Sequence, residues 1–320
     1  MTFRNDLDAT GFASAQAWLA AGLSRRELAR QVASGEMVRI RYGTYAKASL
    51  VAAAEKDLVL AHALNVAKAV DGLSRAVASH QSAATLRGLD LLGSSPDGAV
   101  WLTVPPGTRG GSYRRANVIR HSAALPEAHV TELFGVLTTT AARTAVDIAR
   151  SGAFMAGVVT ADSALHQRWT SKTELRRVLA SCDRWPGIGN ATSVVDFASS
   201  LAESVLESCA RVVFHERGLP PPELQVVILG EGGSKIARVD YFWRDYGVVA
   251  EADGLLKYQS GADAIAELKR DRLLRDRGLD VVHFTWEELF RERERVLRRI
   301  LAAFARAQRP HPPPTSPYQP

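Results

Sequence analysis

The chain has 320 residues, room for about two or three domains, and 46% of them are hydrophobic, which supplies buried cores and excludes a disordered protein. A formal net charge of +6 favours an anionic partner such as nucleic acid, although the Lys and Arg are dispersed and form no polybasic tail. Two cysteines, Cys182 and Cys209, form no CxxC pair and so exclude a zinc ribbon and a disulfide framework; a polar, acid-bearing start and the lack of any apolar run of about 18 residues argue against a signal peptide and a membrane span, so a cytoplasmic protein is expected.

Phe12 to Ala20 has helical composition. Ser24-Arg25-Arg26-Glu27 reads as a capping box, which opens a helix running to about Ser34, with Gly35 suited to the position just past its end. Met37 to Arg41 and Thr44 to Ala46 read as short strands around Tyr42-Gly43. Helix, turn, helix and β-wing outline a winged helix-turn-helix over residues 1–50. Arg25, Arg26 and Arg30 then lie on the recognition helix and Arg39 and Arg41 on the wing, where they would meet double-stranded DNA.

Residues 51–188 read as a mixed α/β middle domain. Val77 to Leu86 looks helical and Val100 to Val104 is a strand stopped by Pro105-Pro106. Asn117 to His121 and Gly135 to Thr138 are further strands. Helices follow from Thr139 or Thr140, over Met155 to Gln167, and from the capping box Ser171-Lys172-Thr173-Glu174. His80 and His121 read as hydrogen-bonded structural residues, since no Ser/His/Asp order or metal-ligand spacing connects them. Arg143 and Asp147, four apart on a helix, read as an ion pair.

Residues 189–308 form the third expected domain. A long helical stretch runs from about Ala191 to Arg217, stopped by Gly218-Leu219-Pro220-Pro221-Pro222. Leu224 to Leu229 is a strand. Arg238-Val239-Asp240-Tyr241-Phe242-Trp243 and Val248-Val249-Ala250-Glu251-Ala252-Asp253 then flank a polar turn and read as a hairpin. A charged helix over Ala262 to Arg277, a strand over Val281 to Phe284 and a helix from Trp286 to Ala307 complete it. Residues 309–320, rich in proline, read as a disordered tail.

On the hairpin, Glu251 and Asp253 share one face by strand alternation, and Asp240 can lie across from them. Carboxylates gathered so repel one another unless a positive group compensates, and a divalent cation with oxygen ligands is the usual solution. The cluster is therefore a candidate Mg²⁺ site, and phosphodiester hydrolysis is its candidate chemistry.

The order of these last elements resembles the restriction-endonuclease-like PD-(D/E)XK superfamily, in its small Vsr-like branch (the DUF559 group). The carrying residues are Ala202-Glu203-Ser204-Val205-Leu206-Glu207, Gly218-Leu219-Pro220, Gln225, Val239-Asp240-Tyr241, Glu251-Ala252-Asp253-Gly254, Lys257-Tyr258, Arg270-Asp271 and Phe284-Thr285-Trp286. The resemblance implies an α/β/α core in which Asp240 and Glu251 hold the metal. Glu203 would be the acid of the preceding helix, with Glu207 as the competing assignment. Asp253 stands where the superfamily has a lysine, so Lys257 or Lys269 would have to supply the cation.

In the first half, Gly22-Leu23-Ser24, Gly35-Glu36-Met37-Val38-Arg39 and Tyr42-Gly43-Thr44-Tyr45 resemble the winged helix of AbiEi-type antitoxins of type IV toxin–antitoxin systems. Ser79-His80-Gln81-Ser82-Ala83-Ala84, Leu102-Thr103-Val104-Pro105 and Arg143-Thr144-Ala145-Val146-Asp147 resemble the domain that follows it in relatives. Together the readings describe an α/β multidomain protein with two functional expectations. One is a Mg²⁺-dependent DNA endonuclease in phage defence or DNA repair, using Glu203, Asp240, Glu251, Asp253 and Lys257. The other is an AbiEi-like autorepressor, partnered at the operon level by a nucleotidyltransferase-type toxin, whose nuclease fold is a scaffold.

Overall fold

Among the described residues, three hydrogen-bonded sheets, of three, six and four strands, organise the protein. The computed structural model describes residues 12–70, 73, 75–93, 98–230, 233–254 and 261–307, with residues 41, 261–264 and 307 described by their backbone alone. It is a mixed α/β structure divided into two compact units, one ending at Ser200 and one beginning at Leu201. Among the described residues no helix is long and apolar enough to cross a membrane.

The first unit opens with β1 (Phe12–Ser14), α1 (Ala15–Ala20), α2 (Arg25–Ala33), β2 (Met37–Arg41) and β3 (Thr44–Lys47). Ser14 and Ser24 cap the two helices by accepting the N–H of Ala17 and of Glu27. The expected helix over Phe12 to Ala20 starts only at Ala15. Phe12 and Ala13 instead pair with Ala46 and Tyr45 and become buried, so sheet pairing overrides local composition. Trp18, Leu28 and Met37 pack beneath this sheet with Ala13.

A six-stranded sheet follows, in the order β6 (Tyr113–Arg115), β7 (Val118–Ser122), β5 (Val100–Val104), β4 (Val77–Ala78), β9 (Val136–Thr139) and β8 (Val130–Leu133). Helices α3 (Ala48–Ala54), α4 (Leu58–Ala69) and α5 (His80–Leu86) accompany it. The segment expected to be one helix over Val77 to Leu86 is thus a short strand followed by a helix. Phe12 and Ala46 belong to the same buried cluster as Leu64, Leu102 and Val136. Gly135, at φ +69°, comes so near that a Cβ there would stand 2.9 Å from the Phe12 carbonyl. The core is therefore continuous across residue 50, where the sequence suggested a domain boundary.

Helices α6 (Ala141–Ser151), α7 (Phe154–His166), α8 (Lys172–Ser181) and α9 (Ile188–Phe197) complete the unit. The α8 capping box is formed in both directions by Ser171 and Glu174. The long helical stretch expected from Ala191 to Arg217 is broken between Phe197 and Val205, and α9 packs on α6, α7 and α8. It therefore belongs to the first unit and not to the C-terminal domain.

In the second unit α10 (Val205–Glu216) precedes the sheet β10 (Glu223–Leu229), β11 (Lys235–Trp243), β12 (Val248–Asp253) and β13 (Asp280–Thr285). The first three strands run antiparallel and β13 lies parallel to β12, across the connecting helix α11 (Gly261–Asp276). Leu206, Cys209, Ala210 and Val213 of α10 are buried at helical spacing, and Phe214 meets Tyr241, Trp243 and Phe284 edge to face at 5.3–5.9 Å. The expected last helix is two, α12 (Trp286–Arg291) and α13 (Arg293–Ala307). The tail from Pro310 lies outside the described residues. Phe214→Ala should cost about 3–5 kcal/mol, as expected for an aromatic removed from a packed core; urea unfolding of wild type and variant checks it.

Candidate functional site

The expected hairpin is present: Tyr241 pairs with Ala250, Phe242 with Val249 and Trp243 with Val248 around the turn at Arg244–Tyr246. Gly247, at φ +57°, closes that turn. Asp240 lies one step beyond this register, and its Oδ2 accepts the Ala252 N–H at 2.9 Å. Its Oδ1 accepts from Gln225 Nε2 at 3.1 Å, and the same amide nitrogen donates to Glu207 Oε2 at 2.8 Å. Gln225 makes this bridge from a left-handed backbone, φ +53°, uncommon for a residue with a side chain.

Glu207 lies in the first turn of α10 and is fixed further by the Ser204 hydroxyl (2.8 Å) and the Glu203 N–H (3.0 Å). Burial raises its carboxyl above the usual range, opposed by these hydrogen bonds. Glu203 lies before the helix, because Ser204 is the N-cap, and it forms a two-pronged pair with Arg238 at 2.8 and 2.6 Å. The helix acid that reaches toward Asp240 is Glu207.

Glu251 and Asp253 are 2% and 6% exposed, on a strand buried along nearly its whole length. Arg270 of α11 brings its guanidinium to 3.4 Å from Glu251 and 3.7 Å from Glu267. Lys269 beside it is exposed, and Lys257 lies outside the described residues. His283 sits opposite Glu251 in the parallel pairing. Its Nδ1 faces Asp253 at 3.1 Å and its Nε2 faces Asp271 at 2.9 Å. With a carboxylate at each ring nitrogen, Asp253 first among them, its pKa is pushed up to about 8.

Among the described residues the set of ligand atoms that converges within 4.8 Å is Asp253, Glu267 and His283, not Asp240, Glu251 and Asp253. Glu267 and His283 were missed in the sequence. The four-residue spacing of Glu267 and Asp271 on a charged helix was their one local signal; His283 joins them only through the crossover that makes β13 parallel to β12.

In the first unit Arg25, Arg26 and Arg30 are exposed on α2. Arg30 pairs with Glu27 of the previous turn, at 2.5 Å. A groove of about 890 Å³ runs between the helices and the β2–β3 hairpin, with Arg25, Arg39 and Tyr42 on its wall. Arg26 and Arg30 are not part of that wall. Arg39 stacks on the Tyr42 ring at 4.9 Å, and Tyr42 is 81% exposed. The Arg41 side chain lies outside the described residues.

No family model matches the chain. Two Mycobacterium tuberculosis proteins, Uncharacterized protein Rv2248 of strain H37Rv and Uncharacterized protein MT2308 of strain CDC 1551, are each 32% identical to it over 288 residues. That span is 89% of this chain and 99% of either relative.

Because the folded pKa of His283 lies above its ordinary value of 6.5, its contribution is full below that value and is lost as pH rises through 8. The difference corresponds to about 2 kcal/mol. Urea unfolding between acid and mildly alkaline pH, in chelator, should show this decline in wild type. A flatter profile is expected for His283→Gln.

Proposed function

We propose for this chain, which belongs to the family of the Mycobacterium tuberculosis proteins Rv2248 and MT2308, the function of a DNA-binding protein whose C-terminal unit is a restriction-endonuclease-like, Mg²⁺-dependent nuclease acting in phage defence or DNA repair. The observation that carries this reading is the chain Glu207–Gln225–Asp240 beside the buried Glu251. It joins an acid from a helix to one from a strand, next to the strand that buries Glu251, and burial of such groups is costly without a functional return. The order of strands and helices in the second unit agrees with the resemblance to that superfamily.

The carboxylate oxygens present suit a hard divalent cation. By the resemblance Asp240 and Glu251 would hold it, whereas the ligand atoms that converge among the described residues are those of Asp253, Glu267 and His283; when bound it would polarise the scissile phosphate and activate a water. Gln225 orients Asp240 and Glu207 together, and the Ala252 N–H fixes the other Asp240 oxygen. Glu207, with its raised pKa, is suited to take a proton from an attacking water. Arg270, paired with Glu251 and Glu267, would supply a cation in place of the superfamily's lysine. Asp253, held by His283, supports the strand end and the position of α11. In the first unit α2 would enter the major groove while Arg39 and Tyr42 of the hairpin meet the backbone.

A specific observation favours the alternative of an AbiEi-like autorepressor beside a nucleotidyltransferase-type toxin. Arg238, Arg270 and His283 already pair with Glu203, Glu251 and Asp253, so part of the acid array is compensated within the protein. The two readings separate in one assay. Purified protein with Mg²⁺ or Mn²⁺ should nick or cut duplex DNA, and chelator, Asp240→Ala and Glu251→Ala should each reduce cutting to background. Absence of cutting by wild type, or cutting that persists in both variants, removes the nuclease reading. Both readings predict salt-sensitive DNA binding. Replacing Arg25, Arg26 and Arg30 together by Ala should weaken it and lower the slope of log K against log salt by about 0.9 for each phosphate no longer neutralised.

A further inference from the structure

The first unit contains a second constellation that neither reading uses. Its residues come chiefly from β5, β7, α5, α6 and the loop before α9, and they line an open pocket of about 500 Å³. That volume lies within the range of small-molecule sites. His80 and His121, which the sequence kept apart, stack with ring centroids 4.4 Å apart, and Trp101 lies 5.5–5.6 Å from both. His80 holds a left-handed backbone, φ +49°, at the start of α5. Its Nδ1 lies 3.0 Å from the Ser79 hydroxyl, which also accepts from Thr103. Such strain gathers at binding sites more often than in plain packing.

The charges of the inner wall come from α6. Arg143 Nε donates to Asp147 at 2.8 Å and Arg150 Nη2 to the same carboxylate at 3.3 Å. The Arg143 and Asp147 side chains are 2% and 0% exposed. Both guanidiniums lie over the Trp185 ring, at 4.8 and 4.9 Å, and Arg150 also donates to the Pro186 carbonyl. Burial keeps both imidazoles neutral, His80 pushed down to about 4. Two guanidiniums against one carboxylate leave an excess positive charge, while Arg184 at the outer wall is exposed and paired with Asp183.

Two polar atoms of this lining are buried without a hydrogen-bond partner: Arg150 Nε and His121 Nε2. Native proteins seldom leave such groups unsatisfied, and a ligand is one partner that would satisfy them. An anion with several acceptor oxygens answers the excess charge and the Arg150 donor together; His121 Nε2 joins when its tautomer carries the proton there. Ser112 and Ser122 belong to the same lining, where the Ser112 hydroxyl accepts the Ser122 N–H at 2.9 Å. The cavity is too large for a bare tetrahedral oxyanion, which leaves room for an organic group on it.

We propose that this cavity binds a small phosphate monoester of nucleotide size, its phosphate between Arg150 and His121. The cavity is independent of the acidic site, and its test does not involve DNA cleavage.

The probes are AMP, ribose 5-phosphate, inorganic phosphate and adenosine, each titrated into the whole protein at fixed ionic strength and followed by calorimetry. AMP or ribose 5-phosphate should bind, inorganic phosphate should bind more weakly, and adenosine should not bind. His121→Asn and Arg150→Lys should each weaken binding by about tenfold, the loss of one hydrogen bond to a charged group. In wild type, the ¹⁵N resonances of the His121 ring should shift with the phosphate esters and not with adenosine, a readout that requires no variant to fold. The proposal is overturned if neither ester binds at millimolar concentration, if adenosine binds as well as AMP, or if the His121 resonances do not move.

Discussion

Carboxylates are costly to bury, and strand β12 buries two of them, Glu251 and Asp253, between neighbours on both sides. Much of the second unit follows from that constraint. Helix α11 must return along the sheet so that Arg270 meets Glu251, and β13 must run parallel so that His283 comes between Asp253 and Asp271. A residue that faces acids through both ring nitrogens donates through both, and this fixes the ring plane as well as its charge. The site and the crossover topology are thus one problem: the helix that makes a parallel pair possible carries Arg270 to Glu251, and the strand it leads to carries His283 to Asp253.

Each unit assembles a polar constellation from distant segments. In the second, acids predominate and the cations are taken up in pairing with them. In the first, Asp147 is outnumbered by guanidiniums, and the nearby imidazoles are kept neutral by burial. Opposite balances of charge select opposite ligands. An array rich in carboxylates suits a cation or the protons of a water, whereas a wall rich in guanidinium suits an anion.

What was legible in the sequence was local. Ser24, Ser171 and the Gly247 turn act within a few residues, so the helix starts and the acidic hairpin stand where the local pattern put them. Strands whose partners are distant were harder. Phe12 joins a sheet through Ala46, and Tyr113 pairs back to Arg120 with no apolar run of its own. The helix acid was ambiguous between Glu203 and Glu207 because both lie near the same helix start; only the cap at Ser204 separates them. His80 and His121 are 41 positions apart and belong to different elements, so no spacing rule could have stacked them. The break between Phe197 and Val205 was hidden because helix-forming residues flank it on both sides.

Gln225 brings two demands into conflict. Its backbone occupies a region where glycine would sit without penalty, and a residue with a side chain forgoes roughly 1–3 kcal/mol to be there. Only a long amide spans both Glu207 and Asp240, so glycine would relax the strand and release the acids. Drift at this position is therefore restrained by the carboxylates and not by the fold. A relative with glycine there would keep the sheet but have lost the reason for holding the two acids together.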